Sequence, residues 1–139
     1  MSSTLEITDL IAAAEEHGRR YVELFNAGDV ETIETMYTED AISVWEPGNP
    51  LTGQARRDSL AEFLAAGPTM TADLVESHVT RDAALLVVDW TISVPNPDGG
   101  EPEVLRGRGL DVLRRGADGR WLFAVDNPFG DGEVEAGAA

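Results

Sequence analysis

Residues 104–128, VLRGRGLDVLRRGADGRWLFAVDNP, read as one long antiparallel hairpin with a single carboxylate in the apolar middle of its first strand. Leu110, Val112 and Leu113 surround Asp111. The turn is Gly116-Ala117-Asp118-Gly119, and Trp121, Leu122, Phe123, Ala124 and Val125 return as the partner strand. An ionised carboxylate buried there alone would cost roughly several kcal/mol. Asp111 is therefore exposed, paired with Arg108 or Arg114, or held protonated by its surroundings. The hairpin also carries apolar groups on both faces: Leu110 and Val112 against Leu113, and Trp121 and Phe123 against Leu122 and Ala124. A sheet of that kind wants cover on both sides.

Upstream of the hairpin the period is also two. Ala84, Leu86, Val88, Trp90, Ile92 and Val94 share one face of a strand from Ala84 to Val94; the other face runs from Leu85 and Val87 to Asp89, Thr91 and Ser93. Leu74 to Thr80 reads as its neighbour across an Arg81-Asp82 turn. Pro95 to Pro102 is too rich in proline to continue a sheet and reads as a connection.

Before Met70 the period is helical. Ile7, Ile11, Ala14, Gly18, Tyr21, Val22 and Phe25 recur at steps of three and four, which predicts a helix from about Thr8 to Ala27 with Tyr21 facing inward. Gly28 ends it, and Asp29 is placed to cap a second helix in which Val30, Ile33, Met36 and Tyr37 share a face. Ala41 to Trp45 is a short β-prone run, broken by the loop Glu46-Pro47-Gly48-Asn49-Pro50. A third helix spans Gln54 to Ala66, with Leu60, Phe63 and Leu64 inward and Gly67-Pro68 as its stop.

Helices first and an antiparallel sheet afterwards is the α+β pattern, a curved sheet wrapped around the N-terminal helices. With 139 residues, 42% of them hydrophobic, the chain is expected to form a single domain over residues 1–129, with an acidic, Gly/Ala-rich, disordered tail from 130 to 139. Cover for the convex sheet face would come from a second copy, making a homodimer.

The formal charge of −16, from 26 acidic and 10 basic side chains, repels phosphate backbones and anionic lipid; neither nucleic acid nor a membrane surface is expected as a partner. No cysteine is present, and His17 and His78 lack metal-ligand spacing, so no metal is expected. Both histidines read as surface residues. No cofactor is implied either, because Gly107-Arg108-Gly109 lies inside a strand rather than before a helix. The N-terminus does not read as a secretory signal, and no apolar run approaches a membrane span, so a cytoplasmic location is expected.

The run from Arg20 to Val30, RYVELFNAGDV, followed by MYTEDA at 36–41, a Pro/Gly loop, Leu51-Thr52-Gly53 and a helix, resembles the nuclear-transport-factor-2-like superfamily. Within it the chain is most similar to the SnoaL-like cyclases and ketosteroid isomerases, over about residues 8–128. The resemblance implies a cone-shaped sheet whose helices close an apolar pocket, commonly in a dimer. It implies a small apolar carbonyl ligand, steroid- or polyketide-like, and acid/base isomerase or cyclase chemistry. Tyr21 falls at the family's oxyanion-binding tyrosine, within Arg-Tyr-x-Glu-Leu, and Asp111 at its proton-donating aspartate. Glu46 fits the general base only if one residue is inserted; without that gap the position is Trp45.

Such chemistry needs a carboxylate to move a proton between carbons and donors to hold the enolate oxygen meanwhile. Leu110, Val112 and Phe123 would keep a donor carboxyl neutral. Trp45, Phe63, Trp90, Phe123 and Asp126 are the candidate ligand-binding residues, and Asp89 is a second candidate base. Each has a plainer reading: Tyr21 and the tryptophans as core, Glu46 as a solvated loop acid, Asp126 and Asn127 as a strand end. Two further readings stay open. The protein could be a ligand-binding or scaffolding dimer without catalysis, or it could resemble the limonene-type epoxide hydrolases, whose Asp-Arg-Asp constellation would use Asp111, Asp126 and a nearby arginine. In this chain Gly109 stands where that arginine is expected, and Arg108 would point to the other face.

Overall fold

The computed structural model describes residues 6–130. All of the expected tail except Gly130 lies outside them. Helix α1 (Ile7–Ala27) is followed by the short α2 (Val30–Glu34) and strand β1 (Tyr37–Ser43). Helix α3 (Gly53–Ala65) then precedes β2 (Thr69–Val79), β3 (Ala83–Val94), β4 (Glu103–Arg115) and β5 (Trp121–Asn127).

Local chemistry explains the helix ends. Gly28 closes α1 at a φ of 69°, a left-handed value costly for a residue with a Cβ. Asp29 caps α2 by accepting the Thr32 backbone N–H at 3.1 Å. The second helix is shorter than its periodicity predicts, because Tyr37 opens a strand instead. The Met36 carbonyl accepts Phe123 N–H at 2.8 Å, so sheet pairing captures the backbone that a further helical turn would have used.

The sheet order is β1-β5-β4-β3-β2. Pairing is antiparallel from β2 to β5, as expected, but β1 runs parallel to β5, so the sheet is mixed. The chain leaves β1, crosses through α3 and three strands, and re-enters beside it in the same direction. The α+β architecture is as read from the sequence, with α1 packed on β2, β3 and β5. Its buried stripe is turned slightly from the expected one: Leu10 is buried, whereas Ile7 is 40% exposed. Trp121 seats that turn by donating its indole N–H to the Leu10 carbonyl at 3.1 Å.

Strand β5 is irregular at one point. Leu113 pairs with Phe123 and Val112 with Val125, which leaves Ala124 as an extra residue, a β-bulge. Among the described residues no helix is long and apolar enough to cross a membrane.

Candidate functional site

The helices and the concave face of the sheet enclose a cavity of about 530 Å³, within the range that holds small organic ligands. Phe25, Phe63, Leu86, Val88, Trp90 and Phe123 supply much of an apolar wall, and Glu15, Arg19 and Glu23 of α1 also border it. Tyr21, Asp111 and Asp126 reach the same space. Of the residues singled out from sequence, Tyr21, Trp45, Phe63, Trp90, Asp111, Phe123 and Asp126 all line the cavity.

Asp111 and Asp126 are brought together by the bulge. Strict alternation from Trp121 and Phe123 would turn Val125 inward and Asp126 outward. The extra residue at Ala124 reverses the parity, and Asp126 becomes the cross-strand partner of Asp111 inside the cone. The two carboxyls hydrogen-bond each other, which requires a proton between them. Burial, then the charge of Asp126 and its hydrogen bond, hold Asp111 well above the usual carboxylate range. Burial raises Asp126 too, but Trp45 and Tyr37 oppose the rise by donating to it. The Trp45 Nε1–H and the Tyr37 hydroxyl each lie 2.9 Å from Asp126 Oδ2. Asp126 is therefore the better place for a negative charge and Asp111 for the proton.

Tyr21 stands beside this pair, its hydroxyl 3.2 Å from that of Tyr37. Burial first, and then the charge of Asp126, keep both phenols protonated far above their ordinary range. Tyr37 has one proton, and the charged carboxylate is the nearer acceptor. Tyr21 is then the hydroxyl with a proton to give, either to Tyr37 or into the cavity.

The other candidate acids and bases stand elsewhere. Glu46 is exposed on its loop, where Oε1 accepts from Asn49 Nδ2 at 3.0 Å, and it does not line the cavity; the loop carries the carboxylate away from the site, and only Trp45 enters. Asp89 lies on the convex face and receives two hydrogen bonds from Arg108, at 2.7 and 3.0 Å. That same pairing keeps Arg108 from forming an Asp-Arg-Asp constellation with Asp111 and Asp126. Arg114 is tied to Asp40, so neither arginine neutralises Asp111. His17 is not a free surface residue: its ring packs 4.7 Å from Phe123 and lies 3.2 Å from the Met36 carbonyl, and burial lowers its pKa. Among the described residues no three His, Asp or Glu side chains gather as metal ligands.

Sequence reasoning missed Tyr37, assigned to a helix, and Arg56, hidden among the polar residues of α3. It also missed the seat of the chain's exit from β5. A Cβ on Gly107 would lie 2.7 Å from Trp90 Cζ2 and 3.0 Å from the Pro128 carbonyl, so only glycine lets that segment cross the sheet there. Trp90 fastens it by donating to the Pro128 carbonyl at 2.7 Å, and Pro128 and Phe129 close one side of the cavity. Glycines two apart within a strand were the available signal.

A family model described as the SnoaL-like domain matches residues 18–123. The chain belongs to this family. No curated protein sequence matches this SnoaL-like chain. Among solved structures it is similar to a nuclear transport factor 2-like superfamily protein from Salmonella enterica. That likeness has 18% identity and a TM-score of 0.75, and covers 96% of this chain and 99% of the other. A conserved protein from Planctomyces limnophilus shares 20% identity over 83% of this chain and 91% of its own, at a TM-score of 0.75. A ketosteroid isomerase-like protein from Erwinia carotovora atroseptica shares 24% over 84% and 92%, at 0.67. Likeness at these identities speaks for the fold of the SnoaL-like domain.

Proposed function

We propose that this SnoaL-like protein binds a small, apolar, carbonyl-bearing molecule, steroid- or polyketide-like, and moves a proton on it as an isomerase or cyclase. The observation that carries the reading is the carboxyl pair itself, Asp111 and Asp126 hydrogen-bonded to each other in an apolar cavity, where burial holds Asp111 well above the usual carboxylate range. In this scheme Asp126, not Glu46, is the base. It takes a proton from the carbon next to the ligand carbonyl, and the electron pair left behind moves onto the carbonyl oxygen as an enolate. A protonated Asp126 no longer attracts the Asp111 proton, so that proton and the Tyr21 hydroxyl turn to the enolate oxygen. Returning the proton to a different carbon isomerises the ligand. Attack of the enolate carbon on a second carbonyl closes a ring.

Proton NMR in D2O tests this without knowledge of the natural product, by following α-hydrogen exchange in apolar cyclic ketones. Exchange should be accelerated by the native protein and fall by roughly 100-fold or more in Asp126→Asn, the scale of a lost general base. Ketones that bind with exchange at the solvent rate would leave a ligand-binding protein, the reading that the absence of Glu46 from the cavity favours. A second copy on the convex face is part of the proposal, supported by Ile42, Leu85, Leu110, Val112 and Val125, which share that face. Light scattering that returns the mass of one chain would remove it. The reading places the protein in the cytoplasm.

A further inference from the structure

We infer that Arg56 is a positioning residue of this site, acting through Tyr37 to hold the negative charge of the carboxyl pair on Asp126. The inference rests on the proposed function only in taking Asp111 and Asp126 as the working groups.

Arg56 projects from α3 into the core and is 3% exposed. Its Nη2 meets Glu34 Oε1 at 2.5 Å, while Nη1 and Glu34 Oε2 have no hydrogen-bond partner among the described residues. A buried ion pair with unused polar atoms is a poor source of stability, and apolar residues of the same size would commonly hold the fold as well. Its position points to another role. The guanidinium lies over the ring of Tyr37, 4.1 Å from the centroid, and the hydroxyl of that ring is 2.9 Å from Asp126 Oδ2. A cation against the ring face makes the phenol a stronger donor, and the same charge acts on the carboxylate beyond it. Glu34, Arg56, Tyr37, Asp126 and Asp111 thus form one chain of alternating charge and hydrogen bonds across α2, α3, β1, β5 and β4.

The effect is one-sided. The ionisable groups that face Asp126 are Asp111 from β4, Tyr37 from β1, Tyr21 from α1 and Arg56 from α3; Trp45 adds a neutral donor. Asp111 has Asp126 as its ionisable neighbour, with Tyr21 beyond, and Arg108 and Arg114 are engaged on the far side of the sheet. His17, also from α1, faces Phe123 and the Met36 carbonyl. Among the described residues, the cation whose charge bears on the pair, Arg56, therefore stands behind Asp126. It marks Asp126 as the member that ionises first and leaves Asp111 as the donor.

Carbon-13 NMR titration of the two carboxyls, in the full chain, tests this without any substrate and so separates it from the exchange experiment. In Arg56→Met both titration steps of the pair should move up by roughly one pH unit, a tenfold change in proton affinity. Arg56→Lys keeps the charge and should titrate close to the native protein. Glu34→Gln removes the counter-charge but keeps an acceptor, and should move the steps down. Opposite shifts in the two variants are something a purely structural role would not produce. The inference is overturned if folded Arg56→Met titrates like the native protein, if Arg56→Lys behaves like Arg56→Met, or if Glu34→Gln moves the steps upward or leaves them in place. Should Arg56→Met fail to fold, the lysine and glutamine variants decide between the same outcomes.

Discussion

Two aspartate-bearing pairs sit on opposite faces of one sheet, both as cross-strand partners: Asp89 with Arg108 between β3 and β4, and Asp111 with Asp126 between β4 and β5. On the convex face opposite charges meet in water, and the Arg108 hydrogen bond holds Asp89 below its ordinary range. On the concave face like groups meet in an apolar cone, and Asp111 goes the other way. The residue type is the same, and the face decides the chemistry. A wet pair satisfies itself with both partners charged; a dry carboxyl pair keeps a proton, and a retained proton can be delivered to a ligand.

The largest break in that comparison would come from Asp126→Ala. It leaves the bulge in place and removes the second carboxyl of the pair. Ketone exchange should fall to the solvent rate, and Asp111, now alone, should titrate in a single step. Carbon-13 spectra in which Asp111 titrates as in the native protein would mean that the two carboxyls do not share a proton.

A smaller effect sharpens the electrostatics. The folded-state pKa of Asp111 is raised above the ordinary 3.8, so its proton is bound more tightly folded than unfolded. The stability this contributes is full below the unfolded value and is lost as pH rises through the folded one. The amide of an Asp111→Asn variant has no proton to lose in that range. Melting temperatures of native protein and variant should therefore diverge as pH rises above about 4, with the variant gaining by a few degrees, roughly, toward the alkaline end. Parallel curves would place the Asp111 proton in water.

The smallest effect belongs to the convex pair. Arg108→Gln removes a solvent-facing ion pair of the kind that contributes little, and exchange rate, melting temperature and the titration of Asp111 should all stay within experimental scatter. A marked loss of exchange would bring Arg108 back into the working set and restore the epoxide hydrolase reading.

These contrasts also show how far the chain could be read from its letters. The α+β order, the cap at Asp29, the inward face of β3 and the hairpin at Gly116–Gly119 were legible because neighbours within a few residues determine them. Tyr21 and Asp111 could be placed by period alone, one on a helical stripe and one on a strand. Glu46 could not, because a Pro/Gly loop has no period and its side chain went to Asn49. Met36 and Tyr37 fitted a helical face, yet they lie where the backbone of β5 competes for the same groups.

The sequence by itself determined the family, the succession of helices and strands, and the helical stripe that turns Tyr21 inward. Tertiary structure alone decided the rest of the site. Asp126 reaches Asp111 only through a bulge that breaks the alternation of β5. Arg56 is buried only because Glu34 and Tyr37, distant in the chain, receive its charge. Pro128 closes the cavity only because two glycines of another strand leave room for it. The physical reason is common to all three: local pattern sets which way a side chain tends to face, whereas pairing register, buried charge and close backbone approach depend on groups that meet only when the chain has folded.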